Sequence, residues 1–283
     1  MNDSELEIKL LRPQEIPNYL TYEDGFDLGI SGLDWVKETG ADVERVLSLD
    51  AGKVRIVFCI PNTWQNINSL DDFINIFHEK GKVLRISTEY INLSIKSIMK
   101  CPSYKQYYQE QIPKVITPWK TWGTNDNVKI YLSFGATEAK PPEEVDAIID
   151  NTETGSTIRA NNLKIIEVLD RSGGILIANK KSLEDEWKRE KIEDIKILLS
   201  GVRNARKKIH LFMNVKEENL NALIDVLPAL KKPTVAKLAG KDSDGWLAVN
   251  TIIDKEKFID LIPKLRKLAQ GIVVHEPRQV IET

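Results

Sequence analysis

The densest run of residues able to do chemistry is VDAIIDNTETGSTIRANNL, residues 145–163. Its apolar stretch, Ala147-Ile148-Ile149, lies between Asp146 and Asp150. That pattern predicts a buried strand in a parallel sheet. Thr152-Glu153-Thr154-Gly155-Ser156-Thr157 follows and leads into a short helical segment ending near residues 161–162. Strand, glycine turn and helix start together form an anion site. The N–H groups of Gly155, Ser156 and Thr157 would point outward unpaired, and the helix dipole favours negative charge there. The hydroxyls of Thr154, Ser156 and Thr157 can donate to the same phosphate. Asp150, at the carboxyl end of the strand, can accept from sugar hydroxyls beside it. The chemistry is recognition of a ribose 5-phosphate. The same residue types also suit a plain helix start, where Ser or Thr caps the first turn.

Three further places repeat the strand–turn–helix theme. A strand over 26–30 runs through Ser31-Gly32 into a helix ending near Glu38. Gly32 there is either a second nucleotide contact or, with Gly29, an allowance for close packing and a tight turn. A strand over 83–87 opens on Thr88-Glu89-Tyr90 into a helix over 92–99, offering donors at Thr88. Gly135–Glu138 forms a turn after a strand over 128–132, and Glu138 is either a ligand to substrate or metal, or a helix-capping acid.

The elements that must position these residues follow from pattern. A strand over 6–11 and a helix over 13–19 open the chain, and VRIVFCI, residues 54–60, is a β-branched strand stopped by Pro61. A helix over 71–79 carries His78 at its exposed end, with no evident partner and no expected catalytic role. Residues 101–127 are rich in aromatics: Tyr104, Tyr107 and Tyr108 suit one helix face, and Trp119 with Trp122 a loop cluster. With near-neutral charge, core or subunit packing is the better reading for them than stacking on a base. Strands over 164–169 and 174–179 come next, expected to return to the first domain, and then a charged amphipathic helix over 184–206 whose charges form a solvated face. The last 75 or so residues alternate as βαββαβ: strands over 209–215, 234–238, 246–253 and 272–275, with helices over 218–226 and 255–269. That order is the ferredoxin-like split βαβ, which by itself says nothing of function.

Composition sets the outer bounds. The 283 residues suffice for two or three domains, and a net charge of −2 offers no nucleic-acid footprint. Cys59 and Cys101 are not a disulfide framework, and three histidines without close Cys/His spacing make structural zinc a poor fit. No apolar run approaches the roughly 20 residues that a membrane helix needs. The expectation is a soluble cytoplasmic protein without membrane or nucleic-acid partners.

DNTETGSTIRANNL resembles the phosphoribosyl-pyrophosphate loop of the ATP phosphoribosyltransferase family. LLRPQEIPNYL (10–20), DLGISGLDWVKE (27–38) and LRISTEY (84–90) resemble other family segments in the same order, and MNVKEENLNALIDVLPALKKPTVAKLAG (213–240) resembles the regulatory domain of the long, histidine-regulated form. The resemblance implies an α/β chain with a two-lobed, periplasmic-binding-protein-like catalytic region and a C-terminal ferredoxin-like (ACT-like) domain. Expected bounds are 1–61 and 164–206 for lobe I, 62–163 for lobe II and 207–283 for the histidine-binding module. It implies transfer of phosphoribosyl from phosphoribosyl pyrophosphate to N1 of ATP, with Mg²⁺ carried chiefly by the pyrophosphate and with histidine as feedback inhibitor of a homo-oligomer, dimer or hexamer. Asp150 and Glu138 are then the catalytic candidates. Asp146, Thr154, Gly155, Ser156, Thr157, Arg12, Gly32 and Thr88 are the substrate contacts, and Thr234, Leu238 and Ala239 the regulatory ones. In the turn at Gly135–Glu138, Ala136 and Thr137 replace the middle pair of the family's Gly-Ser-Val-Glu. Competing readings are a non-enzymatic bilobal binding protein and a catalytically impaired regulatory subunit. The family pattern opens with a strand and a Pro-Lys-Gly-Arg-Leu turn, so the expectation is that roughly its first 50 residues are missing here, a loss that would strip a central strand from the sheet and leave the chain poorly soluble or inactive.

Overall fold

Alternation within single strands explains the largest core. In Val54–Pro61, Ile56, Phe58 and Ile60 pack into one cluster and Val57 and Cys59 into another, all fully buried. A strand covered on both faces must be apolar throughout, which is why VRIVFCI reads as a continuous run. The computed structural model describes residues 3–228, 232–239 and 245–282. It divides into two units, Met1–Lys188 and Arg189–Thr283.

The first unit begins with α1 (Ile16–Tyr19), β1 (Leu28–Gly32), α2 (Leu33–Thr39), β2 (Glu44–Ser48) and β3 (Val54–Pro61). It continues through α3 (Leu70–Glu79), β4 (Leu84–Thr88), α4 (Ile91–Lys100), α5 (Pro102–Tyr108), β5 (Pro113–Ile116) and β6 (Thr121–Trp122). Then come β7 (Asn125–Leu132), β8 (Ala147–Thr152), α6 (Ser156–Ala160), β9 (Leu163–Ser172) and β10 (Gly174–Ala178), before α7 (Glu186–Ala205) leads out. A seven-stranded sheet has the order β6-β5-β7-β4-β8-β3-β9, and a three-stranded sheet the order β1-β10-β2. β8 runs parallel to β4 but antiparallel to β3, so the expected parallel strand is parallel on one side only. Of the two strands expected to return to the first domain, β9 joins the large sheet beside β3 and β10 joins the small one.

α3 shows how sequence fixes an element. Ser69 caps it by accepting from the Asp72 N–H at 3.0 Å, and Leu70, Phe73, Ile74 and Phe77 line its buried face. α4 has no cap of its own; Glu38 of α2 supplies one, its two carboxylate oxygens accepting from the N–H groups of Asn92 (2.8 Å) and Leu93 (2.9 Å). Burial pushes the Glu38 carboxyl up and these backbone donors pull it back.

The structure corrects several expectations. Residues 6–11 form no strand, and Ile8 and Leu10 are 65% and 97% exposed; an apolar alternation becomes a strand only where a neighbour accepts its hydrogen bonds. β2, β5 and β6 fall where no strand is expected from the sequence, all three short and at or near sheet edges. The aromatic segment is therefore ordered: Tyr104 is fully buried, its hydroxyl donating to Gln111 O (2.7 Å) and accepting from Asn125 Nδ2 (3.0 Å). His78 does have partners, stacking on Tyr107 with ring centroids 3.8 Å apart and reaching the Tyr108 hydroxyl. Trp119 lies beside Phe134 rather than in a pair with Trp122.

The second unit carries β11 (Lys208–Lys216), α8 (Leu220–Val226), β12 (Thr234–Lys237), β13 (Trp246–Asp254), α9 (Phe258–Leu268) and β14 (Ala269–His275). Its sheet order β12-β13-β11-β14, antiparallel throughout, is the ferredoxin-like arrangement read from the sequence. Leu211, Val215, Leu223, Leu261 and Leu265 form its core.

Because the Glu38 carboxylate is the only acceptor found for the first N–H groups of α4 among the described side chains, Glu38→Ala should destabilise the first unit by about 1–3 kcal/mol, the scale of lost hydrogen bonds to a charged group. Urea unfolding followed by far-UV circular dichroism checks this; an unchanged midpoint would mean that water replaces the cap without cost.

Candidate active site

The parallel strands β4, β7 and β8 end side by side, and the loops that leave them meet. The Ser133 N–H donates to Thr88 O at 2.9 Å, and the Gly135 N–H to Glu89 Oε1 at 2.7 Å. A crevice beyond the carboxyl ends of such strands is where open α/β sheets bind ligands.

Asp150 stands at the end of β8. Burial, reinforced by the charges of Glu138 and Glu89, pushes its carboxyl up to about 6, although the Asn151 N–H opposes the shift by donating to Oδ1. Glu138 sits half-buried in the turn Thr137–Ala139, so the two catalytic candidates are neighbours in space. The Lys140 ammonium, which the sequence reading did not single out, donates to Ser133 Oγ and lies 3.4 Å from Ser87 Oγ.

The loop after β8 has the predicted outline but not the predicted donors. Gly155 adopts φ +76°, the left-handed conformation that favours glycine, and α6 starts at Ser156. Its N–H is not free: it donates to Thr152 Oγ1 at 2.9 Å. The Ser156 N–H lies 3.4 Å from Thr154 Oγ1, which in turn donates to Ser156 Oγ at 3.0 Å. Thr154, Ser156 and Thr157 are all exposed. Side chains that escaped the sequence reading close around the loop. Arg159 Nη1 donates to Thr154 O at 3.2 Å, and a Cβ added at Gly155 would meet that nitrogen at 3.0 Å and Arg55 Nη2 at 3.8 Å. Nothing in the spacing of Arg55, nearly a hundred residues upstream, announces this contact; only the pairing of β3 with β8 brings it about.

Other expected contacts lie elsewhere. Asp146 is at the opposite end of β8, both carboxylate oxygens held at 3.0 Å by Arg85 Nε and Nη2 and one by the Arg85 N–H, so it is a structural anchor. Thr88 is fully buried, its hydroxyl accepting from the Tyr90 N–H at 2.8 Å, which makes it a turn-former and not an open donor. At Gly32 a Cβ would fall 2.2 Å from Asp34 Oδ1, and at Gly29 2.6 Å from Ile16 Cγ2. Both glycines thus serve close packing, and the acid over Gly32 disfavours an anion there. Arg12 is exposed in the turn before α1, and its side chain makes no hydrogen bond or ion pair among the described residues. In the second unit, Thr234 lies on the exposed edge strand β12, with Leu238 and Ala239 just beyond it; Gly240 falls outside the described residues. Burial pushes the thiols of Cys59 and Cys101 up to about 12, so both stay protonated at neutral pH. Among the described residues no three metal-ligating side chains converge, and no helix is long and apolar enough to cross a membrane.

Comparison with known proteins identifies the family. Residues 12–201 match the family described as HisG: ATP phosphoribosyltransferase, and residues 205–277 match HisG, C-terminal domain. A protein of Desulforudis audaxviator named ATP phosphoribosyltransferase is 39% identical over 287 residues, covering 99% of this chain and 87% of its own. Relatives of the same name from Solibacter usitatus (38%, covering 99% and 87%) and Pelotomaculum thermopropionicum (37%, covering 98% and 85%) are similar throughout. The chain belongs to the ATP phosphoribosyltransferase family.

The raised Asp150 carboxyl has a measurable consequence. With a folded value of about 6 against an ordinary 3.8, the native state holds this proton more tightly than the unfolded chain. Stability from this group is therefore highest below about pH 4, falls as pH rises to about 6, and is level above. Asp150→Asn should raise stability at pH 7.5 by about 2–3 kcal/mol, with the gain shrinking toward pH 4. Chemical unfolding of both proteins across that range checks the sign; a pH-independent difference would contradict it.

Proposed function

We propose that the protein transfers the phosphoribosyl group of phosphoribosyl pyrophosphate to N1 of ATP's adenine, releasing pyrophosphate, the first step of histidine biosynthesis. The observation that carries this is the meeting of Asp150 and the Thr154–Thr157 loop at the carboxyl ends of β4, β7 and β8 in a chain of this family.

In the reaction the adenine N1 lone pair forms the new bond to C1 of the ribose while the C1–O bond breaks and its electron pair leaves with the pyrophosphate. No side-chain nucleophile is needed. Positive charge develops on the sugar in an oxocarbenium-like transition state, and the protein's work is to position two anionic substrates and stabilise separating charge. Asp150, once ionised, accepts from the ribose hydroxyls and places a negative charge beside that ring. Thr154, Ser156 and Thr157 hold the 5-phosphate. Mg²⁺ keeps waters and substrate oxygens as most of its ligands, so the pyrophosphate would carry it with one or two carboxylates assisting. Glu138 is the side chain placed to reach such an ion, which when bound would neutralise charge on the leaving pyrophosphate.

The catalytic region occupies residues 1–206 as two lobes, and residues 207–283 form the regulatory module. Histidine binds that module near Thr234, Leu238 and Ala239 and inhibits a cytoplasmic homo-oligomer without entering the crevice. Coupling of this kind requires that histidine prefer one global state over another.

Product formation from ATP and phosphoribosyl pyrophosphate, followed by absorbance, tests the activity, and absence of turnover would remove it. Gly155→Val places a branched residue at positive φ against Arg159 and should abolish phosphoribosyl pyrophosphate binding. Thr157→Ala should weaken that binding by about 1–3 kcal/mol. A chain ending at Lys207 should lose histidine binding in calorimetry, and retention of full affinity would exclude the module as the sensor.

A further inference from the structure

Arg55 is the one basic side chain of β3 that is half-buried, and its guanidinium makes no hydrogen bond or ion pair among the described residues. Lys53, two positions earlier, is exposed and pairs with Asp50. Arg55 stands opposite Thr152 of β8 on one side and Arg171 of β9 on the other, so the three residues share one face of the large sheet. That face opens into a cavity of about 570 Å³ lined by Lys53, Arg55, Glu153, Arg171 and Ser172. Arg159 of α6 reaches back over the loop, its Nη1 donating to Thr154 O at 3.2 Å. Arg55 Nη2 and Arg159 Nη1 both lie within 4 Å of the space above Gly155.

Two guanidinium groups converging on one point repel each other unless an anion lies between them. The loop's own donors cannot carry the full charge of a phosphate. The Gly155 N–H is taken by Thr152, and α6, five residues long, is a single turn. A planar guanidinium fork matches two phosphate oxygens at once.

We propose that Arg55 and Arg159 clamp the sugar 5-phosphate from opposite sides of the loop, with Arg55 reaching it across the sheet from β3. This rests on the loop being the 5-phosphate site and names the charges that complete it. Arg159, already tethered to Thr154 O, orders the loop's first residue as well as facing the anion. Arg55 has no structural partner to lose, so its effect is expected on binding alone.

Calorimetric titration of the full chain with ribose 5-phosphate, and with ribose as the uncharged control, tests the clamp. Arg55→Ala should weaken ribose 5-phosphate binding at least tenfold, lower its salt dependence, and leave thermal unfolding unchanged. Arg55→Lys should restore part of the affinity, because charge returns without the fork. Arg159→Ala should weaken binding as well. If Arg55→Ala binds ribose 5-phosphate as the unaltered protein does while Gly155→Val does not bind it, the clamp is wrong and the loop assignment stands. Full affinity in both variants, or no binding by the unaltered protein, overturns the clamp and the loop assignment together.

Discussion

The Tyr90 hydroxyl donates to Asp34 Oδ2 at 2.7 Å, and the Tyr90 oxygen itself accepts from Asn151 Nδ2 at 2.8 Å. Ser172 donates to the other Asp34 oxygen at 2.5 Å and accepts from the Asp34 N–H at 2.8 Å. Asp34 is only 4% exposed, so an incomplete set of partners here would leave a buried charge unsatisfied at a cost of several kcal/mol. The carboxylate joins α2 to the turn after β4 and to the end of β9, and through the Tyr90 hydroxyl to the end of β8. Asn151 is the residue after Asp150, so the network sets where the catalytic candidate's strand ends. Burial and the Asp34 charge push the Tyr90 hydroxyl far up, which keeps it a donor throughout the working range. Glu38, one turn further along α2, then caps α4. α2 is thus fastened by two acids, Asp34 to the strand ends of the large sheet and Glu38 to the start of α4.

Charge is unevenly divided around the crevice. Asp150, Glu138 and Glu89 gather where the sugar ring would lie, and Arg55 and Arg159 where its 5-phosphate would. An acidic end suits a ring that becomes cationic, and a basic end suits a permanent anion. The clustering of acids also explains the Asp150 shift: like charges nearby and partial burial act in the same direction.

Much of this was legible in the chain, for identifiable reasons. The C-terminal module was read correctly because each strand alternates with period two and each helix keeps Leu or Ile on one face. β3, β4 and β8 were legible because they are buried on both faces. β2, β5 and β6 were not, since short edge strands carry mixed composition and depend on neighbours for their hydrogen bonds. Residues 6–11 failed in the opposite sense, with apolar residues and no partner strand. In the candidate site, type and spacing singled out Asp150 and the loop. Asp146 was misplaced because an acid at the start of a strand looks like one at its end until the sheet shows which end faces the crevice. Arg55 and Lys140 were not singled out because their contacts come from tertiary pairing and leave no local motif.

Trp35 stacks on Tyr90 with ring centroids 4.4 Å apart and planes 22° from parallel. Tyr90 is hydrogen-bonded to Asn151, and Asn151 adjoins Asp150. The indole therefore sits one ring and one hydrogen bond from the residue proposed to grip the ribose. Any shift of the β8 terminus on occupancy is passed to an aromatic stack whose emission depends on its overlap and on the nearby carboxylate of Asp34. The feature that fixes the crevice is in this way also its optical gauge, present in the native chain without a label.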